Sequence, residues 1–196
     1  NADEVRFTFG MSRAENQWRI DQLPNGLIIT QADFTSSYSQ VPVYFFDSTE
    51  QVLVPDMRYT ATTGQSLATF LLGQLIAGPR GELAAMVNEV PDQPVTGNPT
   101  VTVGEVTDVD LGSVRELPGV AQARLAAQLA YTLSSRPTDK VGQRTGIGEL
   151  RLMEAGTPVL VPGRDVTFAV GDFPDYLPAS QLNGDMLFLR GCVIYS

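Results

Sequence analysis

The sequence predicts an α+β fold, a small mixed or antiparallel sheet with two helices on one face and β-rich segments flanking it. Three observations predict this. Residues 43–46 (VYFF) are apolar without alternation, as expected of a strand covered on both faces in the interior of a sheet. Residues 66–77 and 120–133 carry apolar side chains at helical spacing. Residues 100–103, 106–111 and 148–153 alternate apolar with polar, the period of a half-buried strand.

In chain order, residues 5–9 alternate and read as a strand, residues 10–16 as a polar loop, and residues 17–20 as a second short strand pairing back on the first. Leu23-Pro24-Asn25-Gly26 is a turn signal, and residues 32–38 form a helical turn with Phe34 and Tyr38 four apart. Residues 3–40 are too thin to hold a core of their own. After the strand at 43–46, Leu53 and Val54 precede Pro55, which cannot donate to a ladder and so belongs at an edge or a bend. Thr63 is placed to cap the first long helix, whose stripe is Leu67, Phe70, Leu71, Leu75 and Ile76 and whose stop is Gly78-Pro79.

Residues 83–87 read as a short helix, followed by a loop at 91–99. Gly104-Glu105 is either a tight turn between two strands or a bulge within one. The second long helix places Leu125, Leu129 and Leu133 four apart beside Ala121, Ala126 and Ala130, small residues that permit close approach. Residues 138–145 are a polar loop, and Gly156-Thr157-Pro158 turns the next strand towards residues 159–161. From Gly163 onward Phe168, Phe173 and Tyr176 are interleaved with Asp and Pro, and residues 186–189 and 192–195 read as two short strands. This tail either belongs to, or leads into, another domain.

Composition narrows function. A chain of 196 residues with 43% apolar and 18% charged residues is globular, and at this length it can bury roughly 70% of its unfolded surface. The net charge of −9 argues against sequence-independent nucleic-acid binding and against an electrostatic grip on anionic lipid. There is no His, so Ser-His-Asp and Cys-His catalysis and His-containing metal sites are excluded within the chain. The single Cys, Cys192, cannot form an intrachain disulfide and reads as a small buried hydrophobe. No apolar run is long enough for a membrane span.

Short motifs favour structural readings. Gly64-Gln65-Ser66 resembles part of a nucleophile elbow but has no His to activate Ser66, so it reads as a helix start. Gly146-Ile147-Gly148 resembles a dinucleotide fingerprint but opens a strand where the fingerprint needs a helix. Asp108 and Asp110 lie two apart on one face of a strand, where paired carboxylates could do acid–base or metal work; a solvated sheet face is the competing reading. Asp47 is a third carboxylate of interest. Tyr44, Phe45 and Phe46 read as core. No residue is singled out as catalytic, cofactor-binding or metal-ligating, and no cofactor is expected.

The order and spacing of VYFFD, LVPDMRYT, LATFLLGQLIAGP, VTDVDL, ARLAAQLAYTLSSRP and ELRLMEAGTPV resemble a GerMN domain, a ring-building-motif-like α+β fold, over residues 41–163. Trp18-Arg19-Ile20, Leu23 to Leu27, and Phe34 with Tyr38 resemble the flanking region of actinobacterial LpqB lipoproteins. The resemblance implies an internal piece of such a protein. Residues 1–40 would end an N-terminal domain as a β hairpin, and residues 164–196 would lead towards a β-propeller. It further implies a non-enzymatic lipoprotein, lipid-anchored to the outer face of the cytoplasmic membrane by a segment not in this sequence. Its implied partner is the extracytoplasmic domain of an MtrB-type sensor histidine kinase, in cell-envelope and cell-division homeostasis. A GerM-like self-assembling envelope scaffold is the alternative, and a ligand binder or enzyme using Asp47, Asp108 or Asp110 is a third reading. Residues 138–145 are longer than the family pattern.

Overall fold

The computed structural model describes residues 8–22, 29–88, 98–134, 147–179, 188–190 and 193–195. Its contacts divide the chain into two units, Asn1–Ser37 and Tyr38–Ser196.

In the first unit, β1 (Gly10–Ala14) and β2 (Gln17–Gln22) form an antiparallel hairpin. Residues 10–14 are therefore a strand, contrary to the polar-loop expectation. The reason is the turn: Glu15 and Asn16 both have positive φ (51° and 67°), the geometry that matches the twist of paired strands. Glu-Asn is a weaker signal for that turn than Asn-Gly. The expected strand at 5–9 falls mostly on residues outside those described, and Thr8 and Phe9 are not in a strand. The turn at 23–26 also lies outside them. The helix α1 (Gln31–Ser37) begins at Thr30, whose Oγ1 accepts from Asp33 N at 3.1 Å and donates to Asp33 Oδ2 at 2.7 Å.

The second unit begins with β3 (Ser39–Asp47) and β4 (Val52–Thr60), an antiparallel hairpin. There follow α2 (Gly64–Ile76), a 3-10 turn (Gly81–Ala85) and the two-residue β5 (Val87–Asn88). Next come β6 (Thr100–Thr102), β7 (Val106–Asp110), α3 (Gly119–Ser134), β8 (Glu149–Glu154) and β9 (Thr157–Pro158). The tail contributes β10 (Leu177–Pro178) and a hairpin of β11 (Phe188–Arg190) with β12 (Val193–Tyr195).

The α+β class holds, with the long strands divided between two four-stranded sheets, β10-β4-β3-β5 and β6-β7-β8-β9. In the second sheet β7 and β8 run parallel and are joined through α3. A parallel pair needs such a crossover, whereas β3–β4 and β6–β7 need only short turns. Gly104-Glu105 is thus a turn between two strands. Residues 83–87 are no α-helix; the 3-10 turn ends at Ala85 and Val87 joins β3.

A continuous core joins Val43 and Phe45 of β3, Leu71 and Leu75 of α2, Leu125 and Leu129 of α3, and Leu150 and Leu152 of β8. The helices pack against each other and both against β3. α3 also reaches the edge of that strand. Among the described residues β5 pairs with β3 at Phe46 and Asp47, and on that side the backbone of Tyr44 is met by α3. Tyr44 N donates to Thr132 Oγ1 at 3.1 Å, and Gln128 Nε2 donates to Tyr44 O at 3.3 Å. Both polar side chains are buried, and these bonds are what makes their burial tolerable. Because Tyr44 directs its amide and carbonyl at α3, its register partner Pro55 has its missing N–H on the side away from β3. Proline therefore sits within β4 at no cost to the hairpin ladder.

The C-terminus of α2 is tied to β4. Gly78 takes φ +82° and donates its N–H to Leu75 O, a helix stop that favours glycine. Arg58, 3% exposed, donates from Nη2 to Gly78 O at 3.0 Å and pairs with Asp56 at 2.8 Å. Asp56 Oδ2 also accepts from Arg80 N at 2.9 Å. Thr63 stands at the N-cap position as expected, but its side chain makes no cap hydrogen bond.

Phe168 and Phe173 are buried and meet edge to face at 5.7 Å. Phe168 exchanges both backbone hydrogen bonds with Leu150, at 2.8 and 2.9 Å. β10 adds in parallel to β4 at Val52 and Leu53. Phe168 and Phe173 thus belong to the core of the second unit, and Val170 and Tyr176 pack against it.

Two substitutions test these ties. Thr132→Val keeps shape but strands the Tyr44 N–H, and is expected to cost about 1–3 kcal/mol in urea unfolding with an unchanged m value. Asp56→Ala leaves Arg58 buried without its carboxylate and is expected to cost about 3–5 kcal/mol. An unchanged urea midpoint for either would remove that tie from the account.

Candidate functional site

Asp47 sits at the β3–β4 turn. Its Oδ1 accepts from Gln51 N at 3.2 Å and Val52 N at 3.1 Å, and its Oδ2 from Thr49 Oγ1 at 2.7 Å. Burial pushes its pKa up, but the hydrogen bonds from Thr49, Val52 and Gln51 outweigh it and hold the carboxyl below its ordinary value. Its immediate duty is to shape the turn, in which Glu50 takes φ +60°. Glu50 in turn pairs with Arg124 of α3.

Asp108 and Asp110 point to the same face of β7, as their spacing requires, but they do not act as a pair. Asp108 is register partner to Arg151 across the parallel β7–β8 ladder and receives a two-pronged guanidinium contact at 2.7 and 3.0 Å. That contact, chiefly its hydrogen bond, raises the pKa of Arg151. Asp110 accepts from Ala155 N at 3.0 Å and Gly156 N at 2.7 Å. These are the two turn residues between β8 and β9, with φ +49° and +75°. One carboxylate thus braces a strand pair and the other fastens a hairpin.

A polar depression of about 340 Å³ is lined by Gly163, Arg164, Asp165, Thr167 and Asp172. Two of its three charged groups are engaged: Arg164 lies 5.1 Å from the Phe173 ring centre and donates to Gly163 O at 2.9 Å, while Asp172 accepts from Ala169 N at 2.7 Å. Among the described residues no group of three His, Cys, Asp or Glu is placed to hold a metal. Gly64 opens α2, so Ser66 lies in a helical first turn. Gly146 and Cys192 lie outside the described residues. Of the three aromatics read as core, Phe45 and Phe46 are buried and Tyr44 is partly so, against Tyr131 at 5.8 Å. Burial, and then Tyr44, raise the Tyr131 pKa, and its hydroxyl donates to Tyr176 O at 2.8 Å.

Sequence reasoning passed over a set of polar side chains on the helices. Gln65 in the first turn of α2 donates from Nε2 to Val101 O at 2.6 Å and accepts from Val103 N at 2.8 Å. It fills the outer edge of β6 as Gln128 and Thr132 fill that of β3. For α3 the signal was present: two polar residues four apart, hence neighbours on one side of an otherwise Ala- and Leu-rich helix.

Residues 42–159, the stretch from β3 through β9, match the family model described as Germane, sporulation and spore germination. The chain belongs to the Germane domain family. Its GerMN resemblance is thereby borne out, and residues 1–35 match the model of the LpqB lipoprotein N-terminal domain. Among similar curated proteins is Lipoprotein LpqB of Corynebacterium jeikeium, 29% identical over 188 residues, which are 96% of this chain and 31% of that protein. Lipoprotein LpqB of Mycolicibacterium smegmatis is 38% identical over 129 residues, 60% of this chain and 22% of that protein. That of Mycobacterium tuberculosis is 32% identical over 134 residues, 62% of this chain and 23% of that protein. The chain spans less than a third of the length of these curated relatives. No solved structure matches. The aromatic segment from Phe168 to Tyr176 lies beyond the part matched by the Germane model, yet it completes the core around that Germane domain.

The Asp47 geometry fixes a pH response. A depressed folded-state pKa means that its stabilisation is fully present above the unfolded value, about 3.9. It is lost as pH falls through the lower folded value. Asp47→Asn is therefore expected to lower stability at pH 7 and to flatten the stability–pH curve below about pH 4. Identical acid-unfolding curves for the variant and the parent protein would refute this.

Proposed function

We propose that this protein is a non-enzymatic interaction module of an LpqB-type lipoprotein, working outside the cytoplasmic membrane. On this reading a lipid anchor holds the full-length protein on the outer face of that membrane. The module docks onto the extracytoplasmic domain of a sensor histidine kinase and biases two-component signalling in envelope and division homeostasis. One observation carries the reading: a Germane match and an LpqB N-terminal match lie in a single chain, with LpqB relatives aligned across most of it.

The site chemistry supports it. Asp47, Asp108 and Asp110, the carboxylates with the best claim to chemistry, are each engaged in holding a turn or a strand pair. Physically the module works by differential binding, because a bound partner shifts a kinase equilibrium only by preferring one of its states.

Calorimetry with the purified sensor domain is expected to give saturable binding with a Kd of roughly micromolar order. Added to reconstituted kinase, the module is expected to change autophosphorylation. Absence of binding by both this chain and the full-length lipoprotein would overturn the reading.

A further inference from the structure

Among the described residues β6 is the terminal strand of its sheet, and it is three residues long. It pairs with β7 on one side. On the other side Val101 O and Val103 N are held by the carboxamide of Gln65, and these are the groups that an added strand would engage. The Gln65 amide therefore stands in for a neighbouring peptide group. It does so from a loosely built helix start. Thr63 supplies no side-chain cap, Gly64 has φ +56°, and the first turn has no acidic residue to favour the helix dipole. Gln65 itself is exposed, so the contact lies at the surface.

The neighbouring chemistry selects an occupant. Thr102 faces Asp108, whose charge Arg151 already meets, and Thr100 faces Asp110 across the β6–β7 ladder; with the exposed Glu105 in the turn between these strands, Asp110 and Glu105 carry the negative charge beside this edge. With a net charge of −9, a second copy of the chain is repelled from such a face. An extended segment bearing Lys or Arg at alternate positions is attracted to it.

We propose that the outer edge of β6 is a docking site for an extended, basic segment of a partner protein, with Gln65 as its intramolecular placeholder. This inference rests on the proposed function for the partner's identity and adds the surface and the binding mode. Docking swings the Gln65 amide aside, loosens the first turn of α2 and adds a strand to the β6-β7-β8-β9 sheet.

The test uses the whole chain and Gln65→Ala, with the purified kinase sensor domain as probe. Calorimetry gives affinity, and amide hydrogen exchange at Val103 reports the edge. In the free variant Val103 is expected to exchange fast, and to slow when the sensor domain is added. The variant is expected to bind at least about fivefold more tightly, the factor corresponding to one ordinary hydrogen bond, because the substitution removes the two that the Gln65 amide makes to this edge. Binding with no slowing at Val103, or with affinity unchanged by the substitution, overturns the docking edge and leaves the partner reading standing. Absence of binding by both proteins overturns the two together. Concentration-dependent dimers of the variant alone, seen by sedimentation, overturn the choice of a basic partner in favour of a second copy.

Discussion

The structure depends on how its open sheet edges are closed. A strand with an unpaired backbone must find donors and acceptors elsewhere, because a buried orphan N–H or C=O costs about as much as a lost hydrogen bond. Here helices supply them. At β3 the helix α3 presents Gln128 and Thr132 to Tyr44. At β6 the helix α2 presents Gln65 to Val101 and Val103. The two settings differ in a telling way. Gln128 and Thr132 are buried and belong to the core, whereas Gln65 is exposed and lies on the rim. Each contact fixes where a helix lies along a strand, a specification that apolar packing alone supplies only loosely.

The second tie, between Arg58 and the end of α2, gives physical content to two motifs that sequence inspection finds separately. LVPDMRYT and LIAGP lie apart in the chain, but Arg58 of one holds the Gly78 carbonyl of the other. Asp56 neutralises Arg58 and receives the Arg80 amide beyond Pro79. Burial lowers the pKa of Arg58 against the opposing pull of Asp56, while the nearby Arg80 lowers it further. The charge is tolerated because a carboxylate and a helix carbonyl share it.

Much of this was legible from local pattern. The two long helices follow from Leu stripes, and they end within one or two residues of the expected positions. The β7 and β8 strands follow from strict alternation, and Phe45 and Leu150 are buried as the pattern requires. The division into two sheets was not legible, because it is decided by pairings between distant segments. β5 and β10 are two residues each and show no period at all. Asp108 and Asp110 looked like a candidate site because spacing shows that two carboxylates share a face but not what faces them. The partners, Arg151 and the Ala155–Gly156 turn, come from more than 40 residues away. Gln65 gave no signal, since a glutamine in a first helical turn is unremarkable until β6 is seen beside it.

The return of the tail to β4 has a mechanical consequence. Tyr176 meets Phe46 edge to face and its carbonyl accepts from the Tyr131 hydroxyl, and the next two residues lie alongside Val52 and Leu53. Tension arriving through the segment after Pro178 would therefore be borne at the first turn of the domain, where β4 begins, and shared at once with α3. The two-residue pairing of β10 with β4, the Tyr131–Tyr176 hydrogen bond and the buried Phe173 together clasp the tail to the core.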